Sequence, residues 1–411
     1  MDIIVIAPEK YMNCTIDLPT SKSISNRLLL LNALSYSPYK IKNLSDSDDT
    51  RVMLDVLNSN GNVFDIGAAG TSMRFLTAFL SKVVGEWVLT GSERMKQRPI
   101  GVLVDALRKL GARIEYDEKE GYPPLRIFGS ALNGGDITLP GNISSQYISA
   151  LLMIAPQVEN GLTIHLEGEI ISRPYIDLTL NLMEEYGVKA VWQDERTIII
   201  PEANYRPKPM TVEADWSAAS YWYEIVALNP GLQVTLRGLK KNSRQGDAKV
   251  RDIFEKLGVR SKFTNKGLIL TSEGELPQLL KYDFVNQPDL AQTVVVTCCM
   301  IGVPFRFSGL QTLKIKETDR INALITELKK FGVSITTNNK DTMEWNGKKN
   351  ADISVDTVSI DTYKDHRMAM AFAPTASKTG EVKINDPSVV SKSYPSFWDD
   401  IQKAGFTLAN T

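Results

Sequence analysis

One phrase occurs six times in this chain of 411 residues: an apolar segment that starts a helix and, about forty residues later, a glycine that closes an amphipathic helix and precedes a strand. The glycines are Gly61, Gly111, Gly187, Gly258, Gly332 and Gly405, in the contexts VLNSNG, LRKLG, MEEYG, FEKLG, LKKFG and IQKAG. The apolar segments begin near Lys22, Thr71, Ser145, Ser217, Leu290 and Arg367, which places the glycines 39, 40, 42, 41, 42 and 38 residues downstream. A fixed period marks one supersecondary unit that has been copied, each copy burying its apolar face against its neighbours. A chain this long exceeds one ordinary core, and six copies divide as three plus three, so two domains of roughly 200 residues each are expected.

The second copy shows the anatomy of the unit. Leu103, Leu107 and Leu110 stand at helical spacing with Arg108 and Lys109 outside the stripe, and Gly111 is placed to supply a left-handed cap. Beyond it, ARIEY and LRIFG flank the turn-rich DEKEGYPP and predict a hairpin. The fifth copy repeats this with Leu324, Leu328, Phe331 and Gly332, then strands around TNNKD, while the first is abbreviated after Gly61. The other helix of each unit, read in ISNRLLLLNAL, MRFLTAFL, ISALLMIA, YWYEIVAL, TVVVTCCMIG and MAMAFA, is apolar nearly all round and is therefore expected to be buried. Copies sharing a core keep their direction, so three such helices per domain should run parallel with their electropositive N-termini at one end.

Bulk properties narrow the ligand class. With 47 basic and 48 acidic side chains the net charge is -1, so nothing global attracts nucleic acid or an anionic membrane, and any anion site must be a local cluster. The three cysteines, Cys14, Cys298 and Cys299, sit in strand-like and buried-helix contexts and read as reduced thiols of a cytosolic protein. Two histidines, His165 and His366, argue against a zinc or iron centre. MDIIVIAPEK has no signal-peptide pattern, and Thr293 to Phe305, the most apolar run, is shorter than the roughly 20 residues a membrane helix needs.

The helix starts carry the unusual residues. TSKSISNR holds Lys22, Ser23 and Arg27, with Ser21 or Ser23 as the simplest cap; GAAGTSMR brings backbone close through Gly67 and Gly70 and adds Arg74; NISSQY offers Ser144, Ser145 and Gln146. EADWSAAS and NQPDLAQ carry Asp215 and Asp289, each read as a cap from its position alone, and KDHRMAMAF places Arg367 at a helix start after His366. MKQRPIG holds Arg98 in an extended position before proline, KIKETDR gathers Lys316, Glu317, Asp319 and Arg320 at a helix entry, and VVSKSYP sets Lys392 in a loop before the last helix. These eight cations at or near helix entries of a near-neutral chain point to a shared polyanionic ligand, because gathering like charges costs energy otherwise.

In this order, SKSISNR, GAAGTSMR, MKQRPIG, SSQY, SRPYID, KETDR and DHRMAMAF resemble the signatures of the 5-enolpyruvylshikimate-3-phosphate synthase family, within the enolpyruvyl transferases, from about Lys22 to the C-terminus. The resemblance implies an α/β fold of two domains, each three βαβαββ-type copies with buried parallel helices in an inside-out barrel-like arrangement. Carried onto this chain, residues 20–213 form the N-terminal lobe on the shikimate 3-phosphate side, and residues 1–19 with 214–411 form the C-terminal lobe, with the active site in the interdomain cleft. The implied reaction is enolpyruvyl transfer from phosphoenolpyruvate to the 5-hydroxyl of shikimate 3-phosphate, with no metal or cofactor, in a cytoplasmic monomer. Lys22, Ser23, Arg27, Ser144, Ser145, Gln146, Ser172, Tyr175, Asp289, Thr312 and Lys316 are implied to hold shikimate 3-phosphate. Lys22, Gly70, Arg98, Gln146, Arg320, Arg367 and Lys392 are implied to hold phosphoenolpyruvate, with Asp289, Glu317 and Lys22 as proton carriers. The chain departs from the family pattern at Ala68 and Thr312, where asparagine is usual, and at Phe75, where proline is usual. Two rival readings are a UDP-N-acetylglucosamine enolpyruvyl transferase, disfavoured by Ser23 after Lys22 and by the lack of cysteine between Cys14 and Cys298, and a non-catalytic anion binder, disfavoured by the intact Arg98, Asp289, Glu317 and Arg367.

Overall fold

The computed structural model describes residues 2–350 and 357–410. They divide into two compact units: a continuous one, Ser21–Val212, and a discontinuous one, Met1–Thr20 with Glu213–Thr411. The helices are α1 (Lys22–Leu34), α2 (Asp48–Asn58), α3 (Gly70–Lys82), α4 (Gly101–Lys109), α5 (Ser145–Ile154), α6 (Arg173–Glu185), α7 (Trp216–Leu228), α8 (Val250–Glu255), α9 (Ala291–Ile301), α10 (Arg320–Lys329), α11 (His366–Phe372), α12 (Ala376–Thr379) and α13 (Phe397–Lys403).

The odd-numbered helices α1 to α11 are the apolar ones, and each begins within one residue of the position expected from the repeat. Their composition leaves them no wet face: α5 is buried at every position except Gln146, and α9 at all but its last residue. In the continuous unit α1, α3 and α5 pack against one another, and in the discontinuous unit α7, α9 and α11 do the same. Burying one Leu, Ile or Phe side chain contributes about 1.5–3 kcal/mol, so these helices anchor the two separate cores. The alternating helices are amphipathic: α4 buries Leu103, Val104, Ala106 and Leu107 and leaves Arg108 and Lys109 outward.

Five four-stranded sheets among the described residues share one strand order, in which two parallel strands are followed by two antiparallel ones; in four of the sheets the antiparallel pair is a hairpin. Val63–Asp65 lies parallel to Gly85–Thr90 around α3, and the expected hairpin forms from Arg113–Tyr116 and Leu125–Gly129. Asn133–Pro140 and Glu159–Glu167 repeat the arrangement around α5, as do Leu280–Asp283 and Phe305–Ser308 around α9. The N-terminal residues complete two sheets of the discontinuous unit: Cys14–Asp17 pairs in parallel with Val234–Arg237, and Ile3–Ile6 lies between Glu381–Ile384 and Thr407–Asn410. The first copy has no sheet of this kind; its counterpart is a single parallel bridge between Lys42 and Thr211.

Five of the six marker glycines are left-handed, with φ from 76° at Gly332 to 105° at Gly405, as a helix cap requires of a residue without Cβ. Gly61 is the exception. Helix α2 stops at Asn58, extended Ser59 ends it, and Gly61 follows in an ordinary conformation. The first copy therefore breaks the rule at the place where its sheet is missing.

Candidate active site

In the continuous unit the starts of α1, α2, α3 and α5 are tied together by side chains. Ser21 caps α1 by accepting from the Ile24 N–H, and one residue on, Lys22 pairs with Asp49 of α2 at 3.4 Å. The Ser72 hydroxyl of α3 donates to the Asp49 carbonyl, and Gln146 Nε2 of α5 donates to Thr71 Oγ1 at 3.2 Å. Ser144 caps α5 through the Gln146 N–H. Lys22, Ser144, Ser145, Gln146 and Gly70 are thus brought to one end of the helix cluster, and Arg98 joins them.

Arg98 is extended before Pro99, at φ -92° and ψ 124°. Its guanidinium lies so close over Gly70 that a Cβ there would meet Nη1 at 2.6 Å, so any side chain at this helix start would push the guanidinium from its present place. Arg74, one turn further along α3, donates to the carbonyls of Gly70 (3.1 Å) and Pro99 (3.2 Å), and Tyr147 donates its hydroxyl to the same Pro99 carbonyl. Burial, and then the charge of Arg98, pushes the Arg74 pKa down to about 10. Arg27 is buried as well, donating to Thr179 Oγ1 (2.7 Å), Ser149 Oγ (3.1 Å) and the carbonyls of Ser23 and Tyr175, with its guanidinium over the Phe75 ring. Burial lowers its pKa to about 10 too. Phe75 is therefore the floor under Arg27.

Among the described residues Lys22 is the one of these four cations, Lys22, Arg27, Arg74 and Arg98, that has a carboxylate ion-pair partner. Arg27 and Arg74 use neutral oxygens, and the buried Nε of Arg98 has no hydrogen-bond partner. A cluster of this composition favours an added anion, since its positive charge is incompletely compensated in a low-dielectric setting. Ser172 stands before α6 in the left-handed region, at φ 57°, and Tyr175 sits in the first turn of the same helix, where its carbonyl reaches Arg27.

The discontinuous unit carries the second cluster, and here cations and carboxylates are matched. Asp289 lies in a short helical turn just before α9 and forms ion pairs with Arg367 (2.9 Å), Arg320 (3.2 Å) and Lys316 (3.6 Å). It is not the cap that its position alone suggests, because its carboxylate is occupied by three cations. Arg320, the first residue of α10, is 1% exposed and also pairs with Glu317 (2.9 Å) and, through two nitrogens, with wholly buried Asp365 (2.7 and 3.3 Å). Lys316 and Glu317 precede α10 instead of lying within it, since Asp319 caps that helix. His366, expected just before the helix, opens α11 behind its cap Asp365, and Lys392, expected in a loop, ends a short helical turn and donates to the Lys364 carbonyl at 3.0 Å. Arg320, Arg367 and Lys316 face Asp289, Glu317 and Asp365, so this cluster does not need an anion to balance it, contrary to the expectation from charge gathering.

The electrostatics follow from that matching. Burial acts to raise the Asp289 pKa, but Arg367, Lys316 and Arg320 outweigh it and hold the carboxyl well below the usual range. Lys316 is lowered, chiefly by burial, with Asp289 opposing. The sequence reading missed Asp247, in the segment QGDAK, which is buried and accepts a hydrogen bond from the Ser217 hydroxyl at the start of α7. Burial, and then the charge of Asp289, pushes it up to about 7. It also missed Asp365 and Asp49, the carboxylates that fix Arg320 and Lys22. Asp215 caps α7 as expected, accepting from the Ser217 and Ala218 N–H groups. Thr312 is buried in the segment before Lys316, and its hydroxyl has no hydrogen-bond partner.

Comparison with known proteins assigns the architecture to a family. The model of the family EPSP synthase (3-phosphoshikimate 1-carboxyvinyltransferase) matches residues 6–63 and 57–401. A 3-phosphoshikimate 1-carboxyvinyltransferase of Bacteroides fragilis strain YCH46 is 53% identical over 408 residues, covering 99% of each chain. One of Vibrio cholerae serotype O1 strain M66-2 is 38% identical over 434 residues, covering 97% of this chain and 98% of its own. A solved EPSP synthase of Acinetobacter baumannii shares the fold over the whole of both chains, with a TM-score of 0.80 at 20% identity. No helix among the described residues is long and apolar enough to cross a membrane. The chain belongs to the EPSP synthase family and is a transferase.

Proposed function

We propose that the chain transfers the enolpyruvyl group of phosphoenolpyruvate to the 5-hydroxyl of shikimate 3-phosphate, releasing phosphate, as the cytoplasmic step of the shikimate pathway that leads to chorismate and the aromatic amino acids. The reading takes the two units as the two lobes of three copies each, with residues of both serving one reaction in a monomer that needs no cofactor. The observation that carries it is the carboxylate of Asp289, held ionised by three cations at the meeting point of the α9, α10 and α11 starts.

Lys22, Ser23, Arg27, Ser144, Ser145, Gln146, Ser172, Tyr175, Asp289, Thr312 and Lys316 bind shikimate 3-phosphate in this proposal, and Lys22, Gly70, Arg98, Gln146, Arg320, Arg367 and Lys392 bind phosphoenolpyruvate. The arginines suit phosphate and carboxylate because their planar fork pairs with two oxygens at once. An arriving anion competes with Asp289 for Arg320 and Arg367, which removes the influence that depresses its pKa and prepares it to carry a proton. The methylene carbon of phosphoenolpyruvate then gains a proton, the 5-hydroxyl oxygen adds to the neighbouring carbon, and the hydroxyl proton passes to a second base. The resulting ketal expels phosphate as its methyl group returns one proton, restoring the double bond. Asp289, Glu317 and Lys22 are the groups that move these protons, and proton transfer by a positioned side chain is worth roughly 10²–10⁴-fold. Holding both substrates in line contributes about 7–11 kcal/mol more.

The test is phosphate release on mixing the purified chain with both substrates. Release with shikimate 3-phosphate and none with UDP-N-acetylglucosamine as acceptor is the expected result. The reverse pattern identifies the other transferase, and no release with either acceptor identifies a binder.

A further inference from the structure

Residues 361–365 join the strand Val358–Ile360 to α11, and they contain the only two consecutive non-glycine residues in the left-handed region among the described residues, Tyr363 at φ 53° and Lys364 at φ 57°. Such conformations cost free energy and persist only where neighbours over-determine them. Helix α10 supplies that restraint at two levels. Its first residue, Arg320, grips Asp365. Two turns on, Glu327 is wholly buried and accepts from the Tyr363 hydroxyl at 2.7 Å, from the Asp361 N–H at 3.1 Å and from Lys330 Nζ at 2.6 Å. Lys330 in turn donates to the Ser359 carbonyl at 2.8 Å, and Asn385 donates to Asp361 Oδ1 at 2.7 Å.

The clasped loop delivers two groups of the second cluster. The carbonyl of left-handed Lys364 accepts from Lys392 Nζ, and Asp365 caps α11 by accepting from the Arg367 N–H at 2.9 Å. We propose that Glu327 and Tyr363 are positioning residues for the phosphoenolpyruvate end of the reaction: their hydrogen bond holds loop 361–365 in its left-handed form, and that form sets where Lys392 and Arg367 stand. This rests on the reading above, in which Lys392, Arg320 and Arg367 bind phosphoenolpyruvate. Neither Glu327 nor Tyr363 touches substrate; both act through the loop.

Tyr363→Phe removes only the hydroxyl. It should raise the KM for phosphoenolpyruvate roughly 3- to 10-fold, the consequence of one lost hydrogen bond, while the KM for shikimate 3-phosphate stays put. The Asp361 and Asp365 amides should exchange with solvent deuterium faster in the same variant. Adding Lys364→Asn, a residue that tolerates the left-handed region, should bring the phosphoenolpyruvate KM back to within about twofold of the unaltered chain. An unchanged phosphoenolpyruvate KM, an equal rise in both KM values, or no recovery with Lys364→Asn overturns the proposal. If the unaltered chain releases no phosphate from its two substrates, the functional reading falls by itself. The exchange rates then decide the clasp alone, and unchanged exchange at Asp361 and Asp365 in Tyr363→Phe overturns it.

Discussion

Arg98 and Arg320 are both guanidinium groups at helix starts, yet their surroundings ask different things of them. Arg320 is saturated by Asp365, Glu317 and Asp289, so it is a structural tie as much as a ligand group. Arg98 is partly exposed, poised over Gly70 and without a carboxylate ion-pair partner among the described residues, so its charge is available to a ligand. Arg98→Ala therefore removes a charge-assisted contact worth about 1.5–3 kcal/mol, or roughly 10- to 150-fold in phosphoenolpyruvate affinity, with little effect on folding. Titration of each substrate separately checks this, and a loss confined to shikimate 3-phosphate would show that Arg98 serves the other ligand. The cations were legible because they stand in short motifs beside helix starts. Their partners were not: Arg320 meets Asp365 across 45 residues of sequence, and only the packing of α10 against the loop before α11 brings them together.

At the scale of the elements, the repeat predicted the six buried helices to within a residue, because an all-apolar segment has one place to go and the period tells where each copy starts. The period could not show that α2 would end without a glycine cap, or that the first copy would keep no sheet, since those depend on strands that other copies supply. Nor could it anticipate a carboxyl inside a buried helix. Glu224 of α7 is wholly buried, and burial raises its pKa well above the ordinary 4.5, with the Thr297 hydroxyl working the other way. The folded chain keeps this proton while the unfolded chain releases it above about pH 4.5, so folding stability falls as pH rises beyond that value. Glu224→Gln, which cannot ionise, should match the unaltered chain near pH 4 and become progressively more stable than it toward about pH 8. Urea midpoints across that range decide the point; a constant offset between the two proteins would mean that Glu224 titrates as an ordinary exposed acid.

For the whole molecule, the division into units assigns the first residues of the chain to a core built by its last two hundred. Ile3, Val5, Ile16 and Leu18 are all buried in that core, and at about 1.5–3 kcal/mol each their loss rivals the 5–15 kcal/mol by which a domain is usually stable. Residues 21–212 expressed alone should therefore fold with a cooperative urea transition, whereas residues 213–411 alone should not. Ile3 pairs with Asn410, so the permuted chain 213–411 followed directly by 1–20 needs only a three-residue connection and should recover cooperativity. Cooperative unfolding of 213–411 without the N-terminal strands would contradict this assignment.

The chemistry itself has a direct readout, because the proposed route makes the methylene of phosphoenolpyruvate pass through a methyl group that exchanges a proton with Asp289 or Glu317. Turnover in deuterium oxide, followed by proton NMR of the enolpyruvyl product and of recovered phosphoenolpyruvate, measures that passage. The account predicts deuterium in the methylene groups of both for the unaltered chain, and neither turnover nor deuterium for Asp289→Asn at a shikimate 3-phosphate concentration that still saturates it. Product formed with its methylene protons intact, or Asp289→Asn turning over at a near-normal rate, would contradict it.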